Sequence, residues 1–310
     1  MHRIGVKLGI PNCAEAVEVD LHTRHPAPTA LAPGHTLPDS LARLDAGQGA
    51  TELRFGEVGA NPAERTRGWH RCSDMLRDQA GFEHWHDTLG KWLSEEFGEA
   101  PDRTVGGYVK AWYLQVPAFL GAMLFHHERR VPSLRPQDLA FRIATRGRPH
   151  PDAIALNNPG FACLPDDPAA DATDATVVAS ETALANLLRA RVVAHAAQFI
   201  ARYRPPAHFG RHAMWAAVTD ALDVSLLKAG KLGGDEAAGV DDAALVLPAR
   251  IDPFTSASTA HTVCDDNGEL GWTRRKESCC FKYLLTAGAG ACKTCPRRSP
   301  PLASKRRAQP

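Results

Sequence analysis

Apolar side chains recur along residues 68–98 at three- and four-residue intervals, in Trp69, Cys72, Met75, Leu76, Phe82, Trp85, Leu89, Trp92, Leu93 and Phe97. This period predicts helix, interrupted near Gly81. Thr104 to Glu128 is apolar on nearly every face and predicts a long buried helix, bent or divided where Pro117 removes a backbone donor. The period then shortens. Leu139, Phe141 and Ile143 alternate with smaller or polar neighbours, and Ala153–Leu156 and Gly160–Leu164 follow between Gly, Pro and Asn signals. That spacing predicts a small antiparallel sheet.

Helical spacing returns after the acidic loop at 166–175. Ser180 is placed to cap a helix reaching Tyr203, with Leu184, Leu188, Val192, His195 and Phe199 as its buried stripe. A second helix is expected from about Phe209 to Leu232, with His212, Trp215, Val218 and Leu222 on one face. Ala244–Leu247 reads as a strand. Residues 1–66 are weakly patterned and read as irregular, apart from a possible strand at Glu15–Leu21. The order of elements predicts an α+β fold: a mostly helical body with a small antiparallel sheet and a short C-terminal cysteine module. The expected division is an irregular N-terminal region (1–66), a body (67–250), a C-terminal cysteine module (251–298) and a disordered basic tail (299–310).

Composition narrows the class. The chain has 310 residues, 44% of them apolar, which is enough for a substantial core. A net charge of +1 does not mark a nucleic-acid binder, but the charge is unevenly spread. Residues 271–310 hold ten Lys or Arg and one acidic residue, which leaves −8 for residues 1–270. The N-terminal residues show no apolar signal region, and the longest nearly apolar stretch, Ala111–Phe125, is too short to span a bilayer. The expected location is the cytoplasm, with peripheral contact at the inner face of the cytoplasmic membrane as a further option. No nucleotide or flavin fingerprint occurs, so electrons would come from an outside donor.

The chemistry is concentrated at the C-terminal end. Cys279, Cys280, Cys292 and Cys295 are four of the eight cysteines and fall within seventeen residues. Disulfides are disfavoured in a reducing compartment, and no βαβ pattern surrounds the Cys-x-x-Cys to suggest a thioredoxin-type site. A structural zinc site remains open, although a zinc ribbon would use two spaced knuckles. An iron–sulfur centre fits better, because each iron of a [2Fe–2S] core needs two thiolates. Basic residues flank the cluster: Arg274, Arg275, Lys276, Lys282, Lys293, Arg297 and Arg298. Cys264 is a fifth candidate ligand but reads as an ordinary thiol, and Cys13, Cys72 and Cys163 read as core thiols.

The run Arg274-Arg275-x-x-Ser278-Cys279-Cys280-x-x-Tyr283, a glycine-containing loop, and Cys292-x-x-Cys295-Pro296 resembles the C-terminal [2Fe–2S] module of FhuF-type ferric-siderophore reductases. Weaker similarity extends through Pro117–Leu124, Val131–Leu139 and Gly210–Leu222. Two departures stand out. Eleven residues separate the cysteine pairs where the family usually has ten, and Ala291 replaces an aromatic before the third cysteine.

The resemblance implies one-electron reduction of a ferric siderophore, with Cys279, Cys280, Cys292 and Cys295 as ligands of a [2Fe–2S] cluster. It implies a ferric siderophore, for instance of hydroxamate type, as partner. A ferredoxin or reduced flavin system would be the electron donor, and contact with an inner-membrane importer is conceivable. Arg211, His212, Trp215, Arg274 and Arg275 are candidates for holding the substrate, by charge and aromatic character. Two other classes compete: a zinc-stapled binding module without redox activity, and a relative of siderophore synthetases, which would need an ATP-binding half. His126-His127 reads as a charge at a helix C-terminus, with metal binding as the alternative. His195 reads as a core histidine with satisfied hydrogen bonds.

Overall fold

The computed structural model describes residues 35–48, 51–58, 63, 67–264, 270–288 and 290–298. The possible strand at 15–21, Cys13 and the basic tail at 299–310 lie outside these residues. The fold is α+β. Helix α1 spans Leu37–Gln48, α2 Cys72–Arg77, α3 Ala80–Phe97, α4 Asp102–Glu128, α5 Glu181–Arg202, α6 Arg211–Leu232 and α7 Glu236–Val246.

Helix α4 is the centre of the body. It is buried on nearly every side and packs most extensively against α6, with α3 and α5 on its other flanks. Pro117 lies inside α4 without dividing it. A missing hydrogen bond is tolerated there because neighbours enclose the turn on all sides. Helix α5 begins as expected: Ser180 caps it by accepting from the Ala183 amide at 3.2 Å. His195 sits on its buried stripe, donating from Nδ1 to the Leu134 carbonyl at 2.7 Å and accepting at Nε2 from the Tyr113 hydroxyl at 3.2 Å.

Strands β1 (Glu52–Phe55), β2 (Trp69–Arg71), β4 (Leu139–Ile143) and β5 (Pro151–Leu156) form one sheet in the order β1-β5-β4-β2. Strands β3 (Val131–Pro132), β6 (Phe161–Cys163) and β7 (Ala175–Val177) form a second. Strands β8 (Ala260–Cys264) and β9 (Leu270–Arg274) pair as an antiparallel hairpin next to the cysteine segment. The first two sheets are mixed rather than purely antiparallel. β1 runs parallel to β5, with Glu52 opposite Ala153, and β6 runs parallel to β7.

Several expectations are corrected. Within the stretch expected to be irregular, Leu37–Gln48 is helix. Leu37, Leu41 and Leu44 bury one face, and Thr36 and Asp39 form a capping box in which each side chain accepts from the other's amide, at 3.4 and 3.2 Å. The expected helix over 68–98 begins later. Trp69–Arg71 is a strand, recruited by the free edge of β4 with Trp69 opposite Arg142. Ala244–Leu247 is not a strand, because Val246 is the last residue of α7. Asp235 caps that helix by accepting from the Ala238 amide at 2.9 Å, and Val240, Ala243 and Val246 are buried at three-residue spacing. A four-residue apolar run is ambiguous between the two periods, and the cap decides it. His127 carries no helix-end charge, since burial pushes its pKa down to about 4. His126 is buried against Asp242, Nδ1 to Oδ2 at 2.7 Å.

Among the described residues no helix is long and apolar enough to cross a membrane.

The buried imidazole of His195 makes a prediction about pH. Burial lowers its pKa from 6.5 to about 4, with the hydrogen bond to Leu134 opposing the shift. The unfolded chain therefore binds a proton that the folded protein refuses. Stability is whole above about pH 6.5 and is lost as pH falls towards about 4. Denaturation curves measured across that range should show the decline, and His195→Gln should make it shallower, with His127 supplying part of what remains.

Candidate metal centre

The centre is built on one face of α6. Thr219, Asp220 and Asp223 are buried polar residues of this helix, and all three bond to the chain that follows the body. Thr219 Oγ1 accepts from the Thr255 amide at 3.0 Å while donating to the Trp215 carbonyl. Asp223 accepts from Ser258 Oγ at 2.7 Å and from the Thr259 amide at 3.2 Å.

Asp220 takes four donors. Its Oδ1 accepts from Arg274 Nη1 and the Glu277 amide, each at 2.9 Å. Its Oδ2 accepts from the Ser278 amide at 2.8 Å and Ser278 Oγ at 2.5 Å. Arg274 is only 5% exposed and also lies 3.7 Å from Asp223. The residue after Ser278 is Cys279, so this carboxylate fixes the chain at the point where the cysteines begin.

The Cys279–Cys280 pair then lies against α4. A Cβ on Gly107 would come within 3.1 Å of the Cys280 carbonyl oxygen, so only glycine allows this approach without displacement. Thr104 Oγ1 donates to the Phe281 carbonyl at 3.0 Å, and Phe281 adopts a left-handed backbone with φ 58°. That turn aims the Phe281 amide at Cys279 Sγ, 3.3 Å away, and packs its ring 5.8 Å from that of Phe209. The second pair forms a tight turn in which the Cys295 amide donates to the Cys292 carbonyl at 3.1 Å. The Lys276 amide donates to Thr294 O at 2.9 Å and ties the two pairs together. Gly290, at φ +73°, closes the connecting loop in a conformation that side chains disfavour.

Cys280 Sγ and Cys292 Sγ are 4.0 Å apart. No set of three or more His, Cys, Asp or Glu side chains among the described residues is gathered at coordinating distance. The four thiols are nonetheless electrostatically coupled. Burial pushes the Cys292 thiol up to about 11, the negative charges of Cys280 and Cys295 add to this, and Lys276 opposes it. Burial likewise raises Cys279, with Cys280 and Cys295 adding and the Phe281 amide and Arg297 opposing. As thiolates these sulfurs would repel one another and call for a cationic centre. The donor set fits an iron–sulfur core: two cysteine pairs, one backbone N–H to sulfur, and nearby cations.

Lys110 adds an unusual cation. It is 1% exposed, and its ammonium lies over the Phe209 ring at 4.6 Å with the Ala213 carbonyl at 3.5 Å. Burial lowers its pKa to about 8, while the negative charges of Asp220, Cys279 and Cys280 hold the ammonium charged.

The proposed substrate residues do not form one site. Arg211 and Trp215 line a cleft of about 520 Å³ that also includes His208 and Phe209 but no cysteine. His212, expected on the buried face of its helix, is exposed, because the helix start turns it outward. Arg274 is engaged by Asp220 and Asp223, and Arg275 reaches the Pro296 carbonyl at 3.0 Å. A different cleft, of about 180 Å³, borders the thiols, with Cys279 and Cys280 on one side and Tyr108, Trp112, Gln115 and Lys276 around them.

The sequence reading assigned no role to Asp220, Lys110, Gly107, Tyr108 or Trp112. The available signal was charge inside apolar helices, at Lys110 and in Asp220-x-x-Asp223.

The arrangement is a short cysteine segment held on a helical body through Asp220. Residues 277–297 match the FhuF 2Fe-2S C-terminal domain, which bears out the FhuF-type resemblance and makes the cofactor a [2Fe–2S] cluster. No curated protein and no solved structure gives a significant match to the chain.

Asp220→Ala should lower stability by about 3–5 kcal/mol in denaturant unfolding, because it leaves the buried Arg274 without its nearest partner and two amides unpaired. A loss below about 1 kcal/mol would show that the junction is solvated and weak.

Proposed function

We propose that this protein is a ferric-siderophore reductase, in which Cys279, Cys280, Cys292 and Cys295 hold the [2Fe–2S] cluster. The observation that carries the reading is the FhuF-type domain at residues 277–297, seated on the body through Asp220. The cluster supplies one electron at a time. The chemistry suits iron release, because hard oxygen donors hold Fe(III) strongly and Fe(II) much less well.

The residues around the thiols have separable tasks. The Phe281 N–H bonds Cys279, and Lys110, Lys276 and Arg297 place positive charge near the sulfurs, which favours the more negative, reduced form. The basic collar draws anionic partners by long-range attraction. The electron would come from an external donor such as a ferredoxin or a reduced flavin. We place the activity in the cytoplasm, within reach of an inner-membrane importer. The body is assigned to residues 67–250 and the cluster module to 251–298. A zinc staple would use the same cysteines, but the matched domain family is a 2Fe-2S one.

Anaerobically purified protein should be coloured, with two irons and two sulfides per chain. After reduction by dithionite and removal of excess reductant, a ferric hydroxamate siderophore should restore the oxidised spectrum and release one Fe(II) per chain to a ferrous chelator. A colourless protein with stoichiometric zinc, or a reduced spectrum unchanged by any ferric siderophore, would contradict the reading.

A further inference from the structure

A cleft of about 520 Å³ lies between the end of α5 and the start of α6, within the range of about 300–1,000 Å³ usual for small-molecule sites. Ile200, Met214 and Trp215 give it an apolar wall. Phe209 also lines it. The Phe209 ring lies 5.8 Å from that of Phe281, whose amide donates to Cys279 Sγ at 3.3 Å. One side chain thus borders both the cleft and the cysteine segment.

The charged part of the lining is cationic and includes no carboxylate. Arg204 is held by the carbonyls of Ile200, Ala201 and Tyr203 at the end of α5. Arg211 and His208 differ from it. Both are exposed, and neither has a hydrogen bond or ion pair among the described residues. Arg211 opens α6, where the N-cap Gly210 has no side chain to cap the helix and the first turn has no acidic residue. The backbone N–H groups there add donors for an anion. Trp215 stands one turn further along the same face of α6. It is 7% exposed, and its buried indole N–H meets no acceptor in the protein.

These features suit a ligand with an apolar ring body, acceptor atoms on the ring and an acid group at one end. The shared Phe209 suits one that is redox-active. Flavin mononucleotide combines them: a ring system with carbonyl acceptors, a terminal phosphate monoester, and redox chemistry in one-electron steps. A nicotinamide nucleotide passes two electrons together as hydride, which does not suit a one-electron cluster. We infer that this cleft binds reduced flavin mononucleotide as a dissociable electron donor, with the phosphate at Arg211, His208 and the start of α6 and the ring body against Met214 and Trp215. Electrons then enter the cluster past Phe209 and Phe281. The inference rests on the reductase reading and names its donor. One reduced flavin serves two turns: it gives up two electrons singly and two protons to solvent, and each electron passes through the cluster to one Fe(III). Cys280 and Cys292 are half-buried rather than enclosed, which leaves the ferric chelate its own approach.

Riboflavin has the same ring system and lacks the phosphate, so the pair isolates the acid end. In equilibrium dialysis against the full-length holoprotein, oxidised flavin mononucleotide should bind at least about tenfold more tightly than riboflavin. Arg211→Gln and His208→Gln should each weaken the mononucleotide several-fold and leave riboflavin unchanged. Both side chains are exposed, so either variant tests the site if the other fails to fold. Under anaerobic conditions and without siderophore, photoreduced flavin mononucleotide should bleach the oxidised cluster, several-fold more slowly in the two variants. Equal affinity for the two flavins, or mononucleotide binding indifferent to both variants, would overturn the inference. Phosphate-dependent binding without reduction of the cluster would also overturn it. If reduced flavin leaves the cluster oxidised while dithionite-reduced protein still reduces a ferric hydroxamate, the donor site fails and the reductase reading stands. If reduced flavin bleaches the cluster in a phosphate-dependent way but no ferric siderophore reoxidises it, the donor site stands and the reductase reading fails.

Discussion

A single buried carboxylate holds the C-terminal cysteines to the body. Asp220 projects from the middle of α6 and is saturated by the Arg274 guanidinium, two consecutive backbone amides and the Ser278 hydroxyl. A carboxylate in that position is costly to bury unless every oxygen is satisfied. Satisfying it requires the chain from Arg274 to Ser278 to follow one course. The cysteine segment has little apolar surface of its own, with Leu285 and Cys295 its main buried apolar side chains, so it cannot hold its shape by burial alone. Its conformation is imposed by polar bonds to a helix that is itself locked against α4.

The rest of the centre follows from that constraint. With the chain fixed at Ser278, the next residues run against α4, where Gly107 leaves room for the Cys280 backbone and Thr104 receives the Phe281 carbonyl. The turn at Phe281 presents an N–H to Cys279, and the Lys276–Thr294 bond brings the second cysteine pair alongside the first. Charge is arranged in two tiers. Arg274 is internal and balanced by Asp220 and Asp223. Lys110 is internal too, but has no salt bridge among the described residues, so Asp220 and then the Cys279 and Cys280 sulfurs supply its counter-charge. The outer cations, Lys276 and Arg297, act on the thiols directly.

The cysteine motif was legible because metal chemistry needs particular atoms at short spacing, and the long helices because their apolar period is sustained over many turns. The buried stripe of α5 was readable down to His195, since one periodic face met one neighbour. What escaped were features that depend on partners distant in sequence. Trp69–Arg71 carries a helical period but pairs with β4, and β5 has a parallel partner in β1 that lies about a hundred residues earlier. Asp220 and Lys110 look like interruptions of apolar helices until the opposing chain is in place. The substrate candidates rest on charge and aromaticity alone, which cannot distinguish the buried Arg274 from the exposed His212 or place Tyr108 and Trp112 beside the thiols.

Amide hydrogen exchange at Glu277 and Ser278 tests the Asp220 junction most directly. Both amides donate to a buried carboxylate, and Ser278 is itself buried, so both should exchange only by opening of the docked segment, with protection approaching that of α6. Exchange at the rate of an unstructured loop, with α6 still protected, would show that the cysteine segment is not held in this way and would contradict the account.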